Sequence, residues 1–319
     1  MNMKTTKFFL LILFTLFQVF MSSTNSQWLS DQSEISNHTV ISSAKNSLYL
    51  YVGTTGNGIW RSSNNGVNWS QLHLGTNLDN VIIWSIALKN NYVFAGSTDY
   101  FFISSNNGDT WSKKNDMGTH YWSISIKDDY IFVGLNGKKK GVRYSTDNGA
   151  NFYSTAIKKP SWSIVTNESM LFAGSGDNGV NIMPLNNLSS FTNKPLHNGR
   201  VGVYSLAING KYLYAGTDRI GIYMSTDAGL NWFKAPFNNS SEVYTIFLHN
   251  CYVFAGTKGK GICVLNKEGE SIGLEYTGPN SEVRSFWIAE NYLFAGNNEI
   301  PQGYESKVIK RKLMGPYQN

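Results

Sequence analysis

Hydrophobic residues in this sequence fall into short runs that repeat about every 40 residues. One run in each repeat ends in an aromatic residue, any residue and a glycine, and a turn and another apolar run follow, as in Tyr214–Trp232. The steps between successive glycines are 38 to 43 residues. The seven glycines are Gly53, Gly96, Gly134, Gly174, Gly216, Gly256 and Gly296. Runs this short predict β-strands, and a fixed period of this length predicts a repeat architecture such as a propeller.

A second apolar run precedes each aromatic-x-Gly run, and one of its positions lies twelve residues before the glycine in every repeat. The residues at this position are Ile41, Trp84, Trp122, Trp162, Tyr204, Tyr244 and Arg284. Two interpretations remain open: the six other than Ile41 form a ring that stacks on sugars or grips a peptide at the channel, or the large residues pack between blades. The alternation of Trp84 and Ile86 with the small Ser85 favours packing. Arg284, alone among aromatic residues, favours a polar role at the channel.

Four repeats continue into a hairpin with the pattern Ser-x-Asp/Asn-x-Gly-x-x-aromatic. Asp and Asn accept backbone N–H bonds, glycine takes positive φ, and the closing aromatic residue can pack over the turn. The pattern residues are Ser62, Asn64, Gly66 and Trp69; Ser104, Asn106, Gly108 and Trp111; Ser145, Asp147, Gly149 and Phe152; and Ser225, Asp227, Gly229 and Trp232. The corresponding segments of the fourth repeat (Pro184–Phe191) and the sixth (Leu265–Ile272) keep only parts of this pattern.

These hairpins resemble the Asp-box, or BNR, repeats in the β-propellers of sialidases, sortilin-type receptors, xyloglucanase-like hydrolases and photosystem II assembly-factor-like proteins. The resemblance covers residues 27–319. It implies an all-β fold, a single seven-bladed β-propeller of four-stranded blades. It also implies that the hairpin residues join the third and fourth strands at the blade periphery and are architectural. The Arg-Ile-Pro-type motif of sialidases is absent before the first hairpin, which argues against a sialidase.

The two ends of the repeat array complement each other. The seventh repeat reaches its third strand near Tyr304–Lys310 and is not followed by a fourth. The segment Ser26–Ser30 contains Trp28 and resembles the fourth strands that start at Trp69 and Trp111. We therefore expect the N-terminal strand to complete the last blade, which would close the ring and remove an exposed sheet edge.

Residues 1–26 have the layout of a secretory signal peptide. Lys4 and Lys7 precede the apolar run Phe8–Phe20, and small polar residues follow it. Cleavage after Ser26 would leave residues 27–319 as the mature domain and would lower the formal net charge from +6 to +4. The apolar run is short for a membrane span. We expect a protein without a membrane span after cleavage, either secreted or held in the periplasm or cell envelope.

Charge and candidate ligand residues exclude several classes of partner. Basic residues are scattered apart from 138–140 and 310–312, so we predict no nucleic-acid partner. The five histidines lack metal-ligand spacing, and we predict neither a metal site nor a cofactor. Cys251 and Cys263 leave two alternatives open, a disulfide in an oxidising compartment or two thiols.

The function that the sequence favours is a non-enzymatic binding or scaffold module, monomeric, with a protein or glycan partner. The alternative is a glycoside hydrolase, which needs two carboxylates that flank the scissile bond. Candidate carboxylates on the predicted channel-side loops are Asp79, Asp99, Asp177, Asp218, Glu242 and Glu282. A third hypothesis, an assembly factor like those of photosystem II, would predict a membrane-complex partner and a basic surface patch.

Overall fold

The strands of this protein form a closed ring of seven sheets, each with four antiparallel strands. The first strands of successive sheets contact one another, and the seventh sheet contacts the first. The protein is therefore a seven-bladed β-propeller, which confirms the predicted fold. The computed structural model describes residues 28–313 except 116, 177, 237–240, 276–280 and 302, and describes only the backbone of 274 and 275.

Two sequence predictions fall on residues that the structure does not describe. These are the signal peptide at residues 1–26 and the candidate carboxylate Asp177. Among the described residues, none belongs to a helix with the length and apolar character of a membrane span.

Each blade takes consecutive strands from the chain, except that the first strand, β1 (Leu29–Ser30), belongs to blade 7. Blade 1 contains β2 (Val40–Lys45), β3 (Leu50–Thr54), β4 (Ile59–Ser62) and β5 (Ser70–Gln71). Blade 2 contains β6 (Ile83–Lys89), β7 (Tyr92–Ser97), β8 (Phe101–Ser104) and β9 (Ser112–Lys114). Blade 3 contains β10 (Thr119–Lys127), β11 (Tyr130–Asn136), β12 (Gly141–Ser145) and β13 (Tyr153–Ser154).

The remaining blades follow the same order. Blade 4 contains β14 (Ser161–Thr166), β15 (Met170–Ser175), β16 (Val180–Pro184) and β17 (Thr192–Lys194). Blade 5 contains β18 (Val203–Asn209), β19 (Tyr212–Thr217), β20 (Ile222–Ser225) and β21 (Phe233–Lys234). Blade 6 contains β22 (Val243–His249), β23 (Tyr252–Thr257), β24 (Ile262–Asn266) and β25 (Ser271–Glu275). Blade 7 contains β26 (Val283–Ala289), β27 (Tyr292–Asn297) and β28 (Val308–Lys312), completed by β1.

The N-terminal strand closes the ring, as the sequence predicted. β1 pairs antiparallel with β28, with Leu29 opposite Lys310. The backbone N–H of Asp31 donates to the carbonyl oxygen of Val308 at 2.9 Å, and Oδ1 of Asp31 lies 2.9 Å from Nζ of Lys310. The Asp31 side chain is only 2% exposed, so this ion pair is largely shielded from solvent. The third strand of blade 7 begins at Val308, later than the predicted Tyr304.

Adjacent blades meet at the glycine of each aromatic-x-Gly run. Gly96 lies opposite Ser85 within blade 2. A Cβ on Gly96 would overlap the carbonyl oxygen of Tyr121 in blade 3 and would lie 2.8 Å from Oγ of Ser85. Ser85 Oγ donates to that same carbonyl at 3.4 Å. Glycine is therefore required here because the backbone of the next blade approaches too closely for a side chain.

The same inter-blade contact recurs around the ring. Ser42 of blade 1 donates from Oγ to the carbonyl oxygen of Ile83 in blade 2 at 3.0 Å. Ser285 of blade 7 donates to the carbonyl oxygen of Val40 in blade 1 at 2.7 Å, which joins the two ends of the array. Each of these hydrogen bonds connects the innermost strands of two neighbouring blades.

The hydrophobic core lies between blades rather than within one of them. One cluster joins Tyr214 and Met224 of blade 5 to Val253 and Cys263 of blade 6. Equivalent clusters fill the other junctions. Cys263 is buried in its cluster whereas Cys251 is exposed, and the structure has both as thiols, the second of the two alternatives left open by the sequence.

The four patterned hairpins connect third and fourth strands and share one hydrogen-bond arrangement. In blade 3, Ser145 Oγ donates to Asp147 Oδ1 at 2.7 Å and accepts from the backbone N–H of Gly149 at 2.9 Å. The backbone N–H of Asn151 donates to the same carboxylate oxygen at 2.9 Å. The other three hairpins repeat these bonds, with Asn in place of Asp in blades 1 and 2. The hairpin glycines have φ between 85° and 90°.

We predict that Gly96→Ala destabilises the protein by about 2–3 kcal/mol, because the added Cβ must displace the backbone of blade 3. Gly273→Ala is the matched control, since Gly273 also lies in a strand and a Cβ there meets nothing within 4 Å. Chemical denaturation followed by tryptophan fluorescence measures both. Equal stabilities of the two variants would contradict the close contact between blades.

We also predict that acid weakens the hairpins that contain Asp. Hydrogen bonds from Asn151 and Ser145 lower the pKa of Asp147 from 3.8 to about 2, and those from Asn231 and Ser225 do the same for Asp227. A carboxyl with a lowered pKa stabilises the fold above its unfolded pKa, and that stabilisation disappears as the pH falls from about 3.8 to about 2.

Asn keeps the Oδ1 acceptor but has no charge to lose. The variant Asp147→Asn/Asp227→Asn should therefore be less stable than the wild type at neutral pH and should approach it as the pH falls toward about 2. Urea denaturation at closely spaced pH values measures the difference. Parallel stability curves across this window would show that the two carboxylates are not held as described.

Candidate functional site

Every innermost strand contains a β-bulge at the position twelve residues before the aromatic-x-Gly glycine. In blade 2, Ile83 pairs with Ser97 and Ser85 pairs with Gly96, which leaves Trp84 as the extra residue. All seven first hairpins show the same shift of register. A bulge takes its extra residue out of the ladder and redirects its side chain.

These seven bulge residues line one cavity of about 340 Å³. We call them the channel ring: Ile41, Trp84, Trp122, Trp162, Tyr204, Tyr244 and Arg284. The innermost strands that carry them surround the centre of the propeller, so the cavity lies at the channel. All six residues that the sequence offered as a binding ring are brought together, with Ile41 as the seventh.

At Trp84 the structure differs from the interpretation that the large residues of the channel ring pack between blades. Strict alternation would place Trp84 on the same face as Ile86, but the bulge breaks the alternation between them. Ile83 and Ile86 instead share the hydrophobic core of the junction between blades 1 and 2. Trp84 is half-buried and lies against the cavity.

Most of the channel ring forms one continuous aromatic arc. The ring centroids of Trp84 and Trp122 are 4.4 Å apart and stacked, and those of Trp122 and Trp162 are 6.3 Å apart. Tyr204 follows at 5.1 Å from Trp162, and Tyr244 at 5.5 Å from Tyr204. Each such pair contributes about 0.5–1.5 kcal/mol beyond burial, so the arc is held in place before any ligand arrives.

Arg284 ends the arc and carries its charge to the channel. Its Cζ lies 3.6 Å from the ring centroid of Tyr244, which is a cation–π contact, and its guanidinium pairs with Glu282 at 2.5 Å. The hydroxyl of Tyr244 donates to Glu242 Oε2 at 2.8 Å, and Glu242 also pairs with Lys258 at 3.2 Å. Burial, with the hydrogen bond to Glu242, raises the pKa of Tyr244, so the phenol remains a donor at neutral pH.

Two indole N–H groups in the arc have no hydrogen-bond partner among the described residues. Trp84 Nε1 donates to Thr98 Oγ1 at 3.2 Å, but Nε1 of Trp122 and Nε1 of Trp162 are buried and unpaired. Buried donors are normally satisfied by protein, water or ligand. Nε1 of Trp122 and Nε1 of Trp162 are therefore two buried donors without a described acceptor.

His120 joins the site through an irregularity that sequence analysis did not identify. A second register shift between Thr119 and Tyr121 makes His120 an extra residue, with φ of 59°. Its imidazole stacks on Trp122 with a centroid distance of 6.3 Å. Positive φ in a residue other than glycine carries backbone strain, and residues under such strain cluster at active sites and ligand clamps as well as in turns. Neither His120 nor its immediate neighbours Thr119 and Tyr121 are Gly or Asn, so no residue type at this position marks such a conformation.

A second cavity, of about 480 Å³, adjoins the arc at Trp162. We call it the cation pocket; it is lined by Lys159, Gly176, Asn178, Arg200 and Arg219. Gly176 is the wall between the two cavities, because a Cβ on it would lie 2.8 Å from Cζ2 of Trp162. Nothing in the sequence indicated that Lys159, Arg200 and Arg219 would meet.

The candidate carboxylates are spread over several blades, and those with described contacts are held by neighbouring groups. Asp79 contacts His73 at 2.6 Å and accepts from the backbone N–H of Leu74 at 2.7 Å. Asp218 pairs with Arg219 at 2.7 Å. Glu242 and Glu282 have the partners given above, and Asp99 lies in the loop between β7 and β8. The described residues also contain no group of three or more side chains suited to hold a metal ion.

Solved structures with this fold share little sequence with the chain. The extracellular domain of BT4673 from B. thetaiotaomicron, described as a one-component system, has a TM-score of 0.73 at 13% identity and covers 91% of this chain. The match spans only 40% of that chain's length. YCF48 bound to a D1 peptide has a TM-score of 0.68 at 10% identity, covering 90% of this chain and 97% of that one. YCF48 from Cyanidioschyzon merolae has a TM-score of 0.68 at 8% identity, covering 90% and 98%.

Identities this low establish the fold and nothing finer. No protein-family model and no curated protein matches the sequence. The comparisons therefore support the architecture seen here, a seven-bladed β-propeller, and they do not identify a ligand for its channel.

Proposed function

We propose that this protein is a binding or scaffold module that holds a protein or glycan partner at the channel ring. The observation that carries the proposal is the seven-fold bulge, which directs one side chain from every blade into a single cavity. Six of the seven are aromatic or cationic. Aromatic faces bind sugar rings and side chains with large contact area and little loss of conformational entropy.

The propellers of similar fold are consistent with such a role. One neighbour is an extracellular domain, and another, YCF48, has been solved with a bound D1 peptide. These facts belong to those proteins; for the present chain they support a macromolecular partner as the kind of ligand to test first.

Further parts of the proposal assign roles to the four patterned hairpins and to residues 1–26. The four patterned hairpins are Asp-box repeats with an architectural role, since their hydrogen bonds satisfy the turn itself. Residues 1–26 direct export, and residues 27–319 act as a monomer outside the cytoplasm. N-terminal sequencing of the exported protein and light scattering of the purified domain test these two points.

A binding function is preferred to the glycoside hydrolase alternative because of how the carboxylates are placed. Asp218, Glu242 and Glu282 each contact a cationic side chain. A hydrolase acid must instead carry a proton opposite a second carboxylate at a defined separation. Glu242 and Glu282 both lie near Tyr244, but each is already paired with a cation, so hydrolysis enters as an outcome of the test.

We predict that Trp122→Ala weakens binding about tenfold or more, because Trp122 lies in the middle of the arc and central aromatic residues dominate binding energy. Phe233→Ala is the matched control, since Phe233 is an exposed aromatic residue on the outer strand of blade 5. Both variants are compared with the wild type on a glycan array, in polysaccharide pull-downs and by cross-linking to envelope proteins.

Two results would count against this proposal, and one further result calls for a second variant. Equal binding by Trp122→Ala and the wild type would place the partner elsewhere on the surface. A loss in Trp122→Ala accompanied by a lower unfolding temperature would be checked with Trp122→Phe, which keeps an aromatic face and should bind more tightly than Trp122→Ala. Hydrolysis products in the pull-down samples would make the protein an enzyme.

A further inference from the structure

The cation pocket and the aromatic arc share a wall, and together they define a ligand more narrowly than the channel ring alone. We propose that the channel mouth binds an anionic saccharide, with its acidic group in the cation pocket and a sugar ring against Trp162. This inference rests on the proposed binding function and specifies its ligand. The acidic group is a carboxylate or a sulfate ester, since both offer the same anionic oxygen atoms.

The charge of the pocket comes from loops of two neighbouring blades. Lys159 precedes β14 in blade 4, while Arg200 and Arg219 flank the first hairpin of blade 5. Asp218 Oδ2 lies 2.7 Å from Nη2 of Arg219 and orients its guanidinium. No described carboxylate pairs with Lys159 or Arg200. Lys159 and Arg200, two cations that line one cavity and have no described carboxylate partner, suit a bound carboxylate or sulfate.

The wall between pocket and arc is made of backbone alone. A Cβ on Gly176 would lie 2.8 Å from Cζ2 and 3.0 Å from Cε2 of Trp162, and a Cβ on Gly202 would lie 2.8 Å from its Cζ3. The indole therefore packs between two glycines, one of which lines the cation pocket. An anion in the pocket is consequently separated from the Trp162 indole by the backbone of Gly176, and a ligand that extends from the pocket to the channel ring would contact both.

Two buried polar atoms at this junction lack partners among the described residues. They are Oδ1 of Asp218, whose side chain is 10% exposed, and Nε1 of Trp162. Both residues lie against Gly202, where a Cβ would be 3.3 Å from Asp218 Oδ2. One atom accepts hydrogen bonds and the other donates them, and the hydroxyls of a sugar can take either role. Sugars supply several hydroxyls beside their acidic group, which favours a saccharide over an acidic peptide.

The test measures affinity of the full-length protein by isothermal titration calorimetry. The probes are polygalacturonate for the carboxylate, dextran sulfate for the sulfate ester, dextran as the neutral saccharide and poly-glutamate as the acidic peptide. We expect one or both anionic saccharides to bind at least about tenfold more tightly than dextran and poly-glutamate, and which of them binds identifies the acidic group.

The pocket is tested with Lys159→Gln/Arg200→Gln, which should weaken binding of the anionic saccharide about tenfold or more. The matched control is Lys138→Gln/Lys140→Gln, which removes the same charge from an exposed loop of blade 3 outside the pocket. The control should stay within about twofold of the wild type, because exposed charges away from the ligand contribute little. Trp162→Phe keeps a stacking face but loses Nε1, and it should weaken the same binding several-fold.

Several outcomes would overturn the inference. They are an affinity for anionic saccharides no greater than that for dextran, equal binding of poly-glutamate, and an equal loss of affinity in the two double variants, which would indicate diffuse attraction. None of these results decides the proposed function. If another glycan or a peptide binds and Trp122→Ala weakens it, the proposed function stands and only its ligand class is wrong. If no partner depends on Trp122, the proposed function fails as well.

Discussion

The contact on which the rest of this structure depends is the approach of one blade's glycine to the backbone of the next blade's innermost strand. Gly96 leaves room for the carbonyl of Tyr121, and Ser85 donates a hydrogen bond to that carbonyl. The residue after each contacted carbonyl is the bulge residue, as Trp122 is for Tyr121. The interaction that joins two blades thus also fixes the backbone immediately before the side chain that enters the channel. The packing of neighbouring blades and the position of the channel-ring side chains therefore both depend on the contact between this glycine and the backbone of the next blade.

This connection explains what the sequence could predict. The period, the offset of twelve residues and the missing fourth strand of blade 7 can all be read from the repeated sequence pattern. Each repeat forms the same hairpin and the same inter-blade contact, so the pattern recurs in every blade. The offset identified every residue of the channel ring. Its structural cause was hidden, since a bulge adds one residue without any marker in composition. Simple alternation therefore assigned Trp84 to the face of Ile86.

The cation pocket could not be found in this way. Lys159, Arg200 and Arg219 are separated by tens of residues and meet only because blades 4 and 5 lie side by side. In the sequence, the run Lys138–Lys140 is the more conspicuous basic feature, yet it stays in an exposed loop of blade 3. His120 is a similar case, because its positive φ depends on a second bulge. Such features arise from tertiary packing of loops, which local pattern does not encode.

The channel ring breaks the symmetry of the scaffold that carries it. Seven equivalent bulges hold tryptophan in blades 2 to 4, tyrosine in blades 5 and 6, arginine in blade 7 and isoleucine in blade 1. The cation pocket opens beside the last tryptophan, and the Arg284–Glu282 pair lies at the far end of the arc. Seven identical residues would present the same contact in seven rotations. Because four residue types share the seven positions, the rotations are not equivalent, and a ligand that uses the pocket and the arc together is held in one orientation.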